Sequence, residues 1–249
     1  MFPLMHVKAS LDIHDSLSDE LIAGSLLPDV LRLMGCDWKR SHSSALHLSR
    51  SMGKCSDITI GALLHGENPN GVDFYSDVSF GGVPWGWAFY RAWQFVSGFH
   101  LPLPKGLLPW VFHNMVEASV DIYLYENWNR EIIFHVRDIY SWDINWEVAE
   151  RLIAESGLIL SRRLKGAFAD YLELSVGRYH SGKCFVLSLY EIARRKFYRH
   201  GIIFDIPLDA FMAIWYKVYE NRKELYDEYV SISYEGLRNT YKEWCKGAV

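Results

Sequence analysis

Three residues spaced four apart, His113, Glu117 and Asp121, interrupt a segment that is otherwise apolar at Val111, Phe112, Met115, Val116, Val120, Ile122 and Leu124. No Pro or Gly occurs between 111 and 125, and the spacing predicts a helix with a largely buried surface. Side chains four apart lie one above another on a helix, so the three form a polar stripe along an apolar rod. A buried carboxylate has to be paired, hydrogen-bonded or bound to a cation, because leaving it bare costs several kcal/mol or more. The same half of the chain offers partners: His6, Asp29, His65, Asp73 and Asp77. Mixed sets of imidazole and carboxylate suit zinc, manganese or iron, and oxygen-rich sets tolerate two ions. The expected ligands of one or two divalent ions are therefore His6, Asp29, His65, Asp73, His113, Glu117 and Asp121. Such ions polarise a phosphoryl oxygen and ionise bound water near neutral pH, and Asp73 and Asp77 are the expected catalytic carboxylates, Asp77 as general base. The competing reading is a structural network in which Arg and Lys from neighbouring helices pair the acids.

The elements that must position these groups read as helices throughout. Asp12 to Gly35 opens with the cap-like Asp15, Ser16 and Ser18 and continues apolar, with Gly24 and Pro28 as interruptions. Pro28 should kink that helix or start a new one, and Asp29 follows it either as a first-turn residue or as a ligand aimed by the kink. Ser41 to Ser51 is a short helical candidate whose His42 and His47 read as structural or surface residues. His65 ends the apolar run from Ile58, and the turn cluster Gly66-Glu-Asn-Pro-Asn-Gly71 separates it from Asp73 and Asp77. The flanks of Asn70-Gly71 do not alternate, so a hairpin is rejected. The aromatic run within Gly81 to Gly98 reads as core or domain interface. Ile132 to Tyr140, Asn145 to Ile159, Leu164 to Val176, Lys183 to Arg199, Pro207 to Arg222 and Ile232 to Cys245 complete an all-α, single-domain bundle. Its candidate metal helices occupy residues 1–130, and a helical extension occupies 131–249.

Composition bounds the rest. Half of the 249 residues are hydrophobic and the formal net charge is −4, which suits one well-cored domain and argues against a general nucleic-acid binder. Cys36, Cys55, Cys184 and Cys245 form no CxxC pair, which fits a reducing compartment and argues against a cysteine-only zinc site. The most apolar window, Gly81 to Gly98, contains Arg91 and Gln94, so no transmembrane segment is expected, and a cytoplasmic location is. No complete Walker loop, Gly-x-x-x-x-Gly-Lys-Ser/Thr, occurs in the sequence, and dinucleotide-binding, Gly-x-Ser-x-Gly and His-Glu-x-x-His motifs are absent.

His6 followed by Gly24-Ser-Leu-Leu-Pro-Asp29 resembles the opening of two helical groups, the acyl-carrier-protein phosphodiesterases and the zinc-dependent phospholipase C-like family. Gly61-Ala-Leu-Leu-His65 and Val72-Asp-Phe-Tyr-Ser-Asp77 are similar to the His and Asp-x-x-x-Asp segments of those groups. The resemblance spans roughly residues 5–125. It implies an HD-like helical fold and a metal-dependent phosphoester hydrolase acting on a small-molecule, lipid or carrier-bound phosphoester. The alternative function is a non-catalytic helical interaction module.

Overall fold

The computed structural model describes the backbone of residues 3–80, 85–180, 182–199 and 201–247, and the side chains within them apart from those of 182–184, 196 and 199. Among the described residues there are thirteen α-helices and no β-strand. They are α1 (Pro3–His14), α2 (Asp19–Leu33), α3 (Trp38–Ser41), α4 (Ser44–Ser51), α5 (Asp57–His65), α6 (Trp87–Val96) and α7 (Leu108–Asn127), then α8 (Arg130–Arg137), α9 (Trp146–Glu155), α10 (Leu164–Leu174), α11 (Gly182–Arg199), α12 (Leu208–Glu220) and α13 (Arg222–Cys245). A single π-helical turn, Phe74–Val78, follows Asp73. The expected all-α architecture is what the chain adopts. None of the described helices is long and apolar enough to cross a membrane, and residues 81–84 of the apolar window lie outside the described residues.

Local chemistry sets the helix starts. Ser18 caps α2 by accepting the Leu21 N–H at 3.0 Å, with Asp19 and Glu20 following in the first turn where the helix dipole favours them. Ser56 and Asp37 cap α5 and α3 in the same way. Pro28 lies inside α2, so of the two expected outcomes it does not start a new helix. Asp29 is thus a mid-helix residue. Asp12 to His14 belong to the end of α1 rather than to the helix that follows, and Asp15 breaks the chain at φ 55°.

One apolar core runs from Leu4 in α1 to Trp244 in α13, with Trp87, Phe112, Phe168, Phe211 and Tyr229 among its largest fully buried members. The C-terminal half is wrapped into this core and sends polar groups back to the first half. Tyr171, Tyr179 and Tyr229 hydrogen-bond Asp29, Asp121 and the Val72 carbonyl respectively.

The packing that matters for the polar cluster is the crossing of α2 and α5. A Cβ on Gly24 would lie 2.3 Å from the Ile58 carbonyl oxygen, and one on Gly61 would lie 2.4 Å from that of Leu21. The two helices therefore meet backbone to backbone, which only glycine permits. Their continuation from that contact carries Asp29 and His65 side by side. The turn from Gly66 to Gly71 then folds back, with the Glu67 and Asn68 amides donating to the His42 carbonyl at 2.9 and 3.3 Å. That contact docks the turn on the junction of α3 and α4 and delivers Asp73 to the same place.

Candidate metal centre

Five side chains from five separate stretches converge: His6 from the middle of α1, Asp29 from α2, His42 from the α3–α4 junction, His65 from the last residue of α5, and Asp73 before the π-helical turn. Asp73 is the hub. Its Oδ1 lies 3.3 Å from His6 Nε2, and its Oδ2 lies 2.9 Å from His42 Nε2 and 3.1 Å from His65 Nε2. His42 Nε2 also stands 3.8 Å from Asp29 Oδ1. The rings of His6 and His65 stack at 3.6 Å and 11°, so their Nε2 atoms face the same carboxylate. The three histidines are 0–1% exposed.

Hydrogen bonding on the far side of two rings fixes what they present to Asp73. His65 Nδ1 lies 2.6 Å from the Ser25 carbonyl oxygen, and His42 Nδ1 lies 3.1 Å from that of Trp38. A carbonyl only accepts, which favours the proton on both Nδ1 atoms; at His42 the Ser41 hydroxyl, itself donating to the Trp38 carbonyl, is a second neighbour of Nδ1 at 2.9 Å. In the neutral ring Nε2 is then a bare lone pair, and two such lone pairs point toward one carboxylate oxygen. Neither Nε2 makes a hydrogen bond of acceptable geometry among the described residues. The arrangement is electrostatically incomplete without positive charge between the nitrogens and Asp73, supplied by a proton or by a cation. Donors held at ~2.1 Å around one ion stand roughly 3.0 Å apart in octahedral and 3.4 Å apart in tetrahedral geometry, and the 2.9–3.3 Å separations match that spacing. Anchoring the second ring nitrogen on a backbone carbonyl is also how metal-ligating histidines are commonly oriented.

Ionisation preferences agree with a site of fixed charge. Burial works against the Asp73 carboxylate, but the facing His65 and His6 rings outweigh it and hold Asp73 well below the usual carboxylate range. Burial lowers His6 well below the ordinary imidazole value, and the charge of His65 adds to that. His65 moves the other way: burial opposes its charge, and Asp73 overcomes it.

Two further contacts close the rim. Tyr171 Oη donates to Asp29 Oδ2 at 2.5 Å, leaving Oδ1 turned toward His42. The Trp38 indole stacks on the His42 ring at 3.6 Å, is 41% exposed, and donates its Nε1–H to Glu67 at 2.8 Å, so one aromatic plate separates His42 from solvent.

Of the ligands expected from sequence, the structure brings together His6, Asp29, His65 and Asp73. It does not bring the α7 stripe to them. His113 stacks on Phe89 at 4.2 Å and places Nδ1 3.1 Å from the Pro109 carbonyl. Glu117 accepts the Ser76 hydroxyl at 2.8 Å. Asp121 accepts the Leu4 and Met5 amides at 3.0 and 2.9 Å and the Tyr179 hydroxyl at 2.8 Å. It therefore caps the N-terminus of α1, the helix that carries His6, and burial pushes it up to about 7 against the pull of those three donors. The ligand reading of His113, Glu117 and Asp121 is corrected accordingly. The reason is geometric: residues i and i+8 are ~12 Å apart along a helix, too far to share an ion.

His42 is the functional candidate that sequence reading set aside, and Tyr171 is the second-half residue it gave no role. Asp77 is placed by the π-helical turn beside Glu117, with which it shares a hydrogen bond. Burial, then the charges of Glu117 and Asp73, keep its carboxyl protonated well above the usual range. That direction favours a proton-donor role for Asp77, where the sequence suggested a base. Its Oδ1 is buried and has no hydrogen-bond partner among the described residues.

Comparison of the chain with protein-family models, with curated proteins and with solved structures returned no match.

Proposed function

We propose that this protein is a metal-dependent hydrolase of phosphoesters, with His6, His42, His65, Asp73 and Asp29 holding one divalent ion of the zinc, manganese or iron type. The observation that carries the reading is the pair of Nε2 atoms, from His42 and His65, held 2.9 and 3.1 Å from one carboxylate oxygen by rings whose other nitrogens lie against backbone carbonyls. Each of those rings has only one lone pair left, so His65, common to both candidate donor groups, supports one ion rather than two. A bound cation supplies Lewis-acid polarisation of a phosphoryl oxygen and an ionised water for attack on phosphorus. Asp77 supplies the complementary half of the chemistry. As the phosphorus–oxygen bond breaks, its carboxylic proton goes to the departing oxygen, and solvent returns the proton, a return that the neighbouring Glu117 favours. The likeness of residues 5–125 to the phospholipase C-like and acyl-carrier-protein phosphodiesterase groups points the same way.

The test is elemental analysis of protein purified without chelator and again after reconstitution, together with hydrolysis of an activated phosphodiester such as bis(p-nitrophenyl) phosphate. Near-stoichiometric metal that is lost in His65→Gln, with activity lost alongside it, is the expected result. Asp77→Asn should keep the metal and lower kcat by about 10²-fold or more. Absence of bound metal after reconstitution overturns the proposal.

A second reading is favoured by the near-complete burial of the histidines, which suits a closed structural ion in a non-catalytic interaction module. Stoichiometric metal without hydrolysis, and a large loss of thermal stability on chelation, would select that reading.

A further inference from the structure

The end of α11 and the turn behind it carry a surface unlike any other part of the chain. Residues 192–204, Ile-Ala-Arg-Arg-Lys-Phe-Tyr-Arg-His-Gly-Ile-Ile-Phe, hold four Lys or Arg and no Asp or Glu, in a protein whose net charge is −4. The helix buries Phe185, Leu189, Ala193 and Phe197, spaced four apart, against the core. That register leaves apolar side chains outside: Ile192 is 49%, Tyr198 84% and Ile203 79% exposed. Arg194 and Arg195 wall a shallow groove of about 690 Å³ together with Tyr198, Ile202, Ile203 and Phe204. Arg194 has a single neighbouring acid, Glu191 at 3.4 Å, and Arg195 has no ion-pair partner among the described residues.

We propose that this face docks on the surface of a bilayer bearing anionic lipid headgroups. Tyr198 and Ile203 enter the headgroup layer, and Arg194 and Arg195 meet the lipid phosphates. Large apolar tips standing in water beside Arg194, paired only with Glu191, and Arg195, which has no ion-pair partner among the described residues, match the two halves of such a surface, apolar boundary and anionic shell. A nucleic acid would satisfy the arginines but offers nothing to an exposed isoleucine. The other sizeable cleft, about 880 Å³ beside α8, also exposes Phe134 and Tyr140, but its charged lining is mainly acidic, with Asp138, Glu173 and the Arg162-paired Asp170 against Arg137, and offers an anionic membrane less. Charge is what distinguishes the two apolar surfaces. None of the residues invoked belongs to the His–Asp centre, so this proposal and the hydrolase reading stand or fall separately.

Co-sedimentation of the full chain with phosphatidylcholine vesicles, with and without phosphatidylserine, tests it. Binding is expected only when the anionic lipid is present and should fall as salt is raised. Arg194→Glu with Arg195→Glu should weaken it by at least about tenfold, since each cation near an anionic surface contributes measurably and reversal doubles the change. Tyr198→Ser with Ile203→Ser should also weaken binding while leaving the thermal unfolding midpoint unchanged, because both side chains are outside the core. Equal sedimentation with neutral and anionic vesicles overturns the proposal, as does binding that ignores both double variants. Retention by random-sequence DNA, abolished by the arginine changes and unaccompanied by vesicle binding, overturns it in favour of a polynucleotide.

Discussion

The His–Asp cluster and the α7 stripe are built from the same residue types at the same depth, and they do opposite things. Around Asp73, three imidazoles and Asp29 arrive from four other stretches of chain, and their donor atoms face one another. Along α7, His113, Glu117 and Asp121 arrive on one rod and point at three unrelated partners: a backbone carbonyl, a serine hydroxyl and a helix N-terminus. The stripe is finished by protein atoms, whereas the cluster turns two ring nitrogens toward one carboxylate oxygen and needs positive charge, from a proton or a cation, to hold together. The lesson is that periodicity along one element distributes polar groups, and only the crossing of several elements concentrates them.

Removal of the hub should separate the regions most sharply. Asp73→Ala strips the common counter-charge from three buried imidazoles and is expected to abolish metal retention and to cost about 3–5 kcal/mol in chemical denaturation. Unchanged metal content in that variant would break the comparison. Gly61→Ala comes next, because its methyl would sit 2.4 Å from the Leu21 carbonyl and force α2 from α5. A loss of about 3 kcal/mol with reduced metal content is expected, measured by denaturation and elemental analysis. Asp121→Ala should cost less, about 2 kcal/mol for a lost helix cap and an orphaned Tyr179 hydroxyl, and should leave the metal in place.

The same carboxyl gives the comparison a pH signature. Asp121 has its folded value raised from 3.8 to about 7, so the fold favours its neutral form. The stability it contributes is full below the unfolded value and is lost as pH rises through about 7. Asp121→Asn should flatten the fall in unfolding free energy between those limits, and an unaltered slope would remove Asp121 as its source. The smallest effect expected is that of Trp38→Phe, which keeps an aromatic plate on His42 and loses the hydrogen bond to Glu67. About 0.5–1 kcal/mol of stability should go, with faster metal loss to a chelator.

Helix content and the buried faces were legible from apolar spacing, and so was the choice of His6, Asp29, His65 and Asp73 as candidates, four residues in or beside apolar runs that the fold brings together. The stripe misled because helical spacing shows which residues share a face and does not show whether their tips can meet. Pro28 left two outcomes open, and the helix runs on through it as one element, where propensity alone disfavours a proline. His42 carried no local signal at all: it sits at the end of a four-residue helix, and its role arises from a turn that binds its carbonyl more than twenty residues later. Gly24, read as an interruption of its helix, and Gly61, read only as part of a family-like segment, are the positions where the helices touch.

His42 is held at both ends of the residue, its ring tied to the Trp38 carbonyl and its own carbonyl tied to the Glu67 and Asn68 amides. Any opening of the 66–71 turn must therefore loosen the backbone beneath a ring that faces Asp73. Whatever neutralises the centre consequently acts as a clasp on that turn, and the Glu67 and Asn68 amides become its reporters. Their hydrogen exchange with solvent slows when the centre is filled and quickens when it is emptied, without any helix having to melt.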